Sequence, residues 1–137
     1  MSSVTVRHLE ADRFTIAVGP HTLIVDQPVE AGGEGSAPTP TELFVASLAS
    51  CVAHYARRYL ARHDLPTEGL EVTASYEIGK SPARVSDVQL QLRVSDAVPV
   101  ERRDALLAVA SHCTVHNSLT HPPSVQVTLD AVPVLSA

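Results

Sequence analysis

The sequence predicts an α+β fold in which antiparallel strands surround one long, buried central helix. Three observations carry this expectation. Short stretches of alternating polarity lie on both sides of the middle of the chain, a strongly marked helix start stands at Thr39-Pro40-Thr41-Glu42, and the residues after it are apolar on almost every side. With 137 residues, 45% of them hydrophobic and 18% charged, the chain is long and apolar enough for one core, and a single domain over 1–137 is expected.

Taken in order, Val4-Thr5-Val6-Arg7-His8 and Phe14-Thr15-Ile16-Ala17-Val18 alternate apolar and polar residues as half-buried strands do. Gly19-Pro20-His21 is a turn signal, and 22–25 reads as a third strand, so the chain begins as an antiparallel meander. Residues 27–38 change to Pro, Gly, Glu and Ser and read as a loop. Its Gly32-Gly33-Glu34-Gly35 run lacks the spacing and the Lys of a phosphate-binding loop, and it is assigned no ligand.

Thr39 is a good N-cap, Pro40 suits the first helical position, and Glu42 completes a Thr-x-x-Glu capping box. The helix is expected to run to about His63, where Leu65-Pro66 stops it. Such a helix is about 35 Å long at 1.5 Å per residue. Apolar on all sides from Leu43 to Ala53, it has to be buried on all sides, which is more than one small domain can enclose. A second copy of the chain is expected to cover the remainder, giving a homodimer.

Residues 71–78 and 85–94 are the next strands. In the second, Val88, Leu90, Leu92 and Val94 alternate with Gln89, Gln91 and Arg93, which buries one face. Residues 99–111 read as a helix with Leu106, Leu107, Val109 and Ala110 as its apolar face. Residues 115–119 continue it after a break near Cys113, and 124–129 form a last strand. The resulting order, βββ-α-ββ-α-(α)-β, is an α+β pattern.

A net charge of −5, with Arg57-Arg58 as the longest basic run, argues against nucleic acid as a partner. No stretch of about 18 apolar residues is present, so no membrane span is expected. The N-terminus has neither the basic nor the apolar part of a secretory leader, and a cytoplasmic location is the expectation. In that compartment thiols are kept reduced, which favours catalytic or sensing cysteines over a structural disulfide.

The chain has two cysteines, Cys51 inside the apolar helix and Cys113 in Ser111-His112-Cys113-Thr114-Val115-His116-Asn117-Ser118-Leu119. A peroxide-reducing centre needs one thiolate to attack oxygen and a second thiol to resolve the sulfenic acid, and two cysteines meet that stoichiometry. Two inert core residues would as well, since free Cys is among the most buried residue types. Cys51 lies too far along the helix to gain from its N-terminal dipole. Activation has to come from a side chain, and His54, Tyr55 and Arg58 share roughly its face. Cys51-x-x-His54 and Cys113-x-x-His116 also repeat a spacing that could serve zinc. Zinc knuckles place their ligands on turns, however, whereas Cys51 sits deep in a helix, so no metal and no cofactor are expected.

The segment from Pro38 to Cys51, Pro-Thr-Pro-Thr-Glu-Leu-Phe-Val-Ala-Ser-Leu-Ala-Ser-Cys, followed by Cys113-Thr114-Val115-His116-Asn117-Ser118-Leu119, resembles the OsmC/Ohr superfamily, the osmotically inducible and organic hydroperoxide resistance proteins. The resemblance spans nearly the whole chain. It implies an OsmC-like fold, an intertwined homodimer with active sites at the subunit interface, and thiol-dependent reduction of organic hydroperoxides at the expense of an external dithiol reductant. By position, Cys51 matches the peroxidatic cysteine and Cys113 the resolving one. In members with the full site a Glu directly after the helix-opening proline, together with an Arg from the N-terminal strands, holds the thiolate. Here that position is Thr41 and the carboxylate is Glu42, a rotation of about 100° on a helix; Arg13 is the expected cation. Thr114 stands where many members have Pro. The alternative is a non-catalytic dimer of the same family that binds a small hydrophobic ligand or senses redox state.

Overall fold

The computed structural model describes residues 1–134 and is α+β, as the sequence predicts. Strands β1 (Thr5–Glu10), β2 (Arg13–Val18) and β3 (His21–Val25) form an antiparallel meander. Helix α1 (Pro40–Arg62) follows, then the antiparallel pair β4 (Glu71–Gly79) and β5 (Arg84–Arg93), and helices α2 (Val100–Ala110) and α3 (Thr114–Thr120).

Helix α1 begins where its local chemistry dictates. The Thr39 hydroxyl accepts from the Glu42 amide at 3.0 Å, and the Glu42 carboxylate accepts from the Thr39 amide at 2.9 Å, so two otherwise orphaned donors are satisfied reciprocally. From there Val45, Leu48, Val52, Ala56, Tyr59 and Leu60 form one buried stripe. This stripe packs on α2, on α3 and on the inward face of β4–β5, where Val72 opposes Leu92, Ala74 opposes Leu90 and Tyr76 opposes Val88. The strands thus deliver the alternation their sequence carries.

Within one chain α1 is left open on one side, as expected of so apolar a helix in a small domain: Phe44, Ala46, Ser47, Ser50 and His54 are exposed, because the two-stranded sheet and two short helices reach only around its other side. Two expectations need correction. In α2 only Leu106 and Ala110 are buried, while Leu107 and Val109 face outward, since one helical stripe at i and i+4 is all that meets α1. Residues 124–129 are not a strand. They run exposed, with Val125, Val127 and Leu129 uncovered, because among the described residues no strand pairs with them to complete a ladder.

The loop 27–38 is built on one carboxylate. Asp26 is 1% exposed and accepts from the amides of Gln27 (2.7 Å), Glu34 (3.3 Å) and Ser36 (3.0 Å) and from the Ser36 hydroxyl (2.7 Å). The glycine run serves this wrap: a Cβ at Gly33 would collide with the Gln27 carbonyl oxygen and press on Asp26 Oδ1 at 2.7 Å. A 3-10 turn at Val29–Ala31 closes the loop through Gly32, whose φ of 102° suits glycine. The loop ends at Thr39, so Asp26 holds the chain that delivers the α1 start.

Hydrogen bonds from Ser36, and then from the Gln27 and Glu34 amides, lower the Asp26 pKa from 3.8 to about 2 against the opposing pull of burial. Its folded value therefore lies below its unfolded one. The stabilisation it provides is complete above about pH 4 and is lost as the pH falls through about 2. Asp26→Asn places an amide donor against three N–H donors and should lower the thermal midpoint at neutral pH by several degrees. In melts repeated toward pH 2 the gap to wild type should close.

Candidate active site

Cys51 lies in the fourth turn of α1, half-buried at the edge of the core stripe, and Cys113 is fully buried at the foot of α3. Cys113 is the N-cap of that helix: its extended backbone (φ −72°, ψ 159°) turns the sulfur back to accept from the His116 amide at 3.4 Å. The break that the sequence places near Cys113 is therefore a capping turn. The two thiols of the chain, distant in sequence, meet in one core cluster: Cys113 is a buried member of it and Cys51 packs against it.

Burial pushes the Cys113 thiol above its ordinary pKa. The His116 amide pulls it back, and the adjoining Cys51 pushes it up again. Cys113 thus holds its proton. A neutral S–H beside a second sulfur is a donor to whatever negative charge that sulfur carries.

The contact depends on how α3 is attached to α1. The Tyr55 hydroxyl, one turn beyond Cys51, shares a 2.8 Å hydrogen bond with Thr114 Oγ1, the first residue of α3. Sequence reasoning did not find this pair, because 59 residues separate its members and neither position has a local signature. Thr114 supplies the hydroxyl that makes the tie. The other two candidates for activating Cys51 lie elsewhere. His54 is exposed, with its ring edge-on to Tyr55 at 5.9 Å, and Arg58 is exposed as well; among the described residues neither is bonded to a sulfur.

Glu42 and Arg13 are not brought to the sulfurs within one chain. The Glu42 carboxylate is engaged by the Thr39 amide. Arg13, on β2, pairs with Glu10 at 2.9 Å and reaches Glu34 at 4.0 Å, and its Nε is buried without a partner. An open cavity of about 740 Å3 lies beside the α1 start, lined by Glu30, Thr39, Thr41, Glu42, Tyr76 and Ile78 among others. A second, apolar one of about 410 Å3 separates the β1–β3 sheet from Pro40 and Leu43. Among the described residues no group of three or more His, Cys, Asp or Glu converges as a metal ion would require. No helix among them is long and apolar enough to cross a membrane.

With this geometry in place, the chain can be compared with known proteins. The family model for OsmC-like protein matches residues 33–128, a stretch that includes the capping box and both cysteines. The chain belongs to the OsmC-like family. Solved structures agree in fold. An osmotic stress induced and detoxification response protein of Psychrobacter arcticus superposes with a TM-score of 0.79 at 23% identity, over 86% of this chain and 88% of that one. A Vibrio cholerae organic hydroperoxide resistance protein, with captopril bound in one of its active sites, gives 0.69 at 22% identity over 89% and 85%. The organic hydroperoxide resistance protein OsmC of Legionella pneumophila gives 0.60 at 21% over 87% and 88%. No curated protein matches the sequence. Arg13 lies outside the stretch that the OsmC-like model covers.

Tyr55→Phe removes the tie between α1 and α3 while keeping the ring. It should cost about 1 kcal/mol of stability, the worth of one hydrogen bond. Denaturant melts should show that loss, and amide exchange should show it concentrated in α3.

Proposed function

We propose that this chain is a thiol-dependent peroxidase that reduces organic hydroperoxides through Cys51 and Cys113. One observation carries the reading. The only two cysteines of the sequence, brought from α1 and the start of α3, pack into one core cluster, the first half-open to the surface and the second fully buried. Membership of the OsmC-like family, with solved relatives named for organic hydroperoxide resistance, supports it.

In this reading the Cys51 thiolate attacks the outer oxygen of the hydroperoxide. The O–O bond breaks, Cys51 becomes a sulfenic acid, and the leaving alkoxide takes up a proton to become the alcohol. Cys113 holds its proton while Cys51 is anionic, and its S–H supports that charge. Cys113 then attacks the sulfenic sulfur, water leaves, and a Cys51–Cys113 disulfide remains. An external dithiol returns the pair to thiols by disulfide exchange. Phe44, exposed on α1 two turns before Cys51, is an apolar side chain that suits the alkyl part of such a substrate.

Arg13 is assigned the thiolate-supporting cation, because its buried Nε has a donor to spare. Glu42 is assigned to setting the helix start and, through it, the position of Cys51. Both assignments belong to a homodimer, in which a second copy covers what one chain leaves bare. The β1–β3 sheet has Val6, Phe14, Leu23 and Ile24 exposed, and Val125, Val127, Leu129, Val132 and Val134 follow one another uncovered along the tail. Light scattering on the full chain should give twice the 14.6 kDa chain mass, and truncation before Ser124 should weaken or abolish that association.

The activity is tested by stopped-flow reaction of reduced protein with cumene hydroperoxide. Wild type should oxidise much faster than a free thiol and turn over with a dithiol. Cys51→Ser should be inactive, and Cys113→Ser should stop at a sulfenic acid that dimedone traps. A wild-type rate equal to that of a free thiol would leave the ligand-binding alternative standing instead.

A further inference from the structure

We propose that the C-terminal half of α1 carries a second binding site, separate from the thiols, for a small organic anion with an aromatic body. The cavity there is about 470 Å3 and is lined by Tyr55, Arg58, Tyr59, Arg62, His63 and Val109. That volume suits a small ligand. On α1 the residues 55, 58, 59 and 62 recur at i, i+3, i+4 and i+7, which gathers them on one face of the helix.

Every polar group at this site that is not already engaged is a donor. Arg58 and Arg62 form no ion pair among the described residues, and no carboxylate lines the cavity. Behind the cavity His63 Nδ1 lies 3.3 Å from a guanidinium nitrogen of Arg102. A guanidinium can only donate, so Nδ1 accepts and the ring proton sits on Nε2, which is thereby a further donor. Tyr59 is 8% exposed and its hydroxyl oxygen is buried, so its ring and not its oxygen meets the open cavity.

The walls define the rest of the ligand. The Tyr59 and His63 rings pack with centroids 4.3 Å apart, and with Tyr55 and Val109 they offer flat, apolar surface. Two guanidiniums favour a carboxylate or a phosphate by charge-assisted, forked hydrogen bonds. The class is therefore an aryl carboxylate or an aryl phosphate. Neither sulfur lines the cavity, so occupancy does not depend on the peroxidase reading.

The test is a titration of the reduced full chain, followed by amide chemical shifts and by calorimetry, with benzoate, phenyl phosphate, inorganic phosphate and benzamide. Benzoate or phenyl phosphate should give saturable shifts centred on residues 55–63 and on Arg102 and Val109. Benzamide, which keeps the ring and loses the charge, should bind at least about tenfold more weakly, and so should either aryl anion in the Arg58→Gln, Arg62→Gln double variant. Both arginines are exposed, so the double variant should melt like wild type. Absence of saturable shifts at these residues overturns the proposal. So does equal binding of benzamide, inorganic phosphate binding as tightly as the aryl anions, or a double variant that binds like wild type.

Discussion

Burial of one stripe along a 23-residue helix organises this molecule, because α1 is longer than anything else in the chain and every other element of the core is placed by contact with it. Its inner residues meet the β4–β5 face, Leu106 and Ala110 of α2, and Cys113 at the start of α3. The helix can perform this role only if its start is fixed, since a shift of one residue would turn the stripe by about 100°. Two devices fix it: the reciprocal bonds of Thr39 and Glu42, and the Asp26 carboxylate that winds the preceding loop to the right length.

The thiol pair follows from the same constraint. Cys51 belongs to α1, and Cys113 is both part of the core packed on α1 and the cap of α3, so one packing event brings the sulfurs together. Capping by a sulfur explains how a fully buried thiol keeps a polar partner. The Tyr55–Thr114 bond then holds α3 against α1 at the level of the pair. Chemistry and packing share residues here: a change at Cys113 alters a cap and a core position together.

The uncovered parts of the chain have a common character. The outer face of α1 near Ser47 and Ser50 carries small residues, and the β1–β3 sheet and the extended tail each expose several large apolar side chains. Farther along α1 the character changes to arginine, tyrosine and histidine around a cavity without a carboxylate. The helix therefore presents different surfaces along its length, with the sulfurs near the middle.

Much was legible in the sequence because it is decided locally. The capping box, the proline stop, the period-two alternation of β5 and the turn after β2 each depend on residues a few positions apart, and each stands where the pattern puts it. The two cysteine contexts carried the family for the same reason. What the sequence could not settle are the relations between distant residues. Asp26 gathering Ser36, Tyr55 meeting Thr114 and the two cysteines sharing one core cluster exist only once the chain is packed. The tail shows the limit most directly. Residues 124–129 alternate like a strand, yet a strand is completed by a neighbour, and only the tertiary arrangement decides whether one is there.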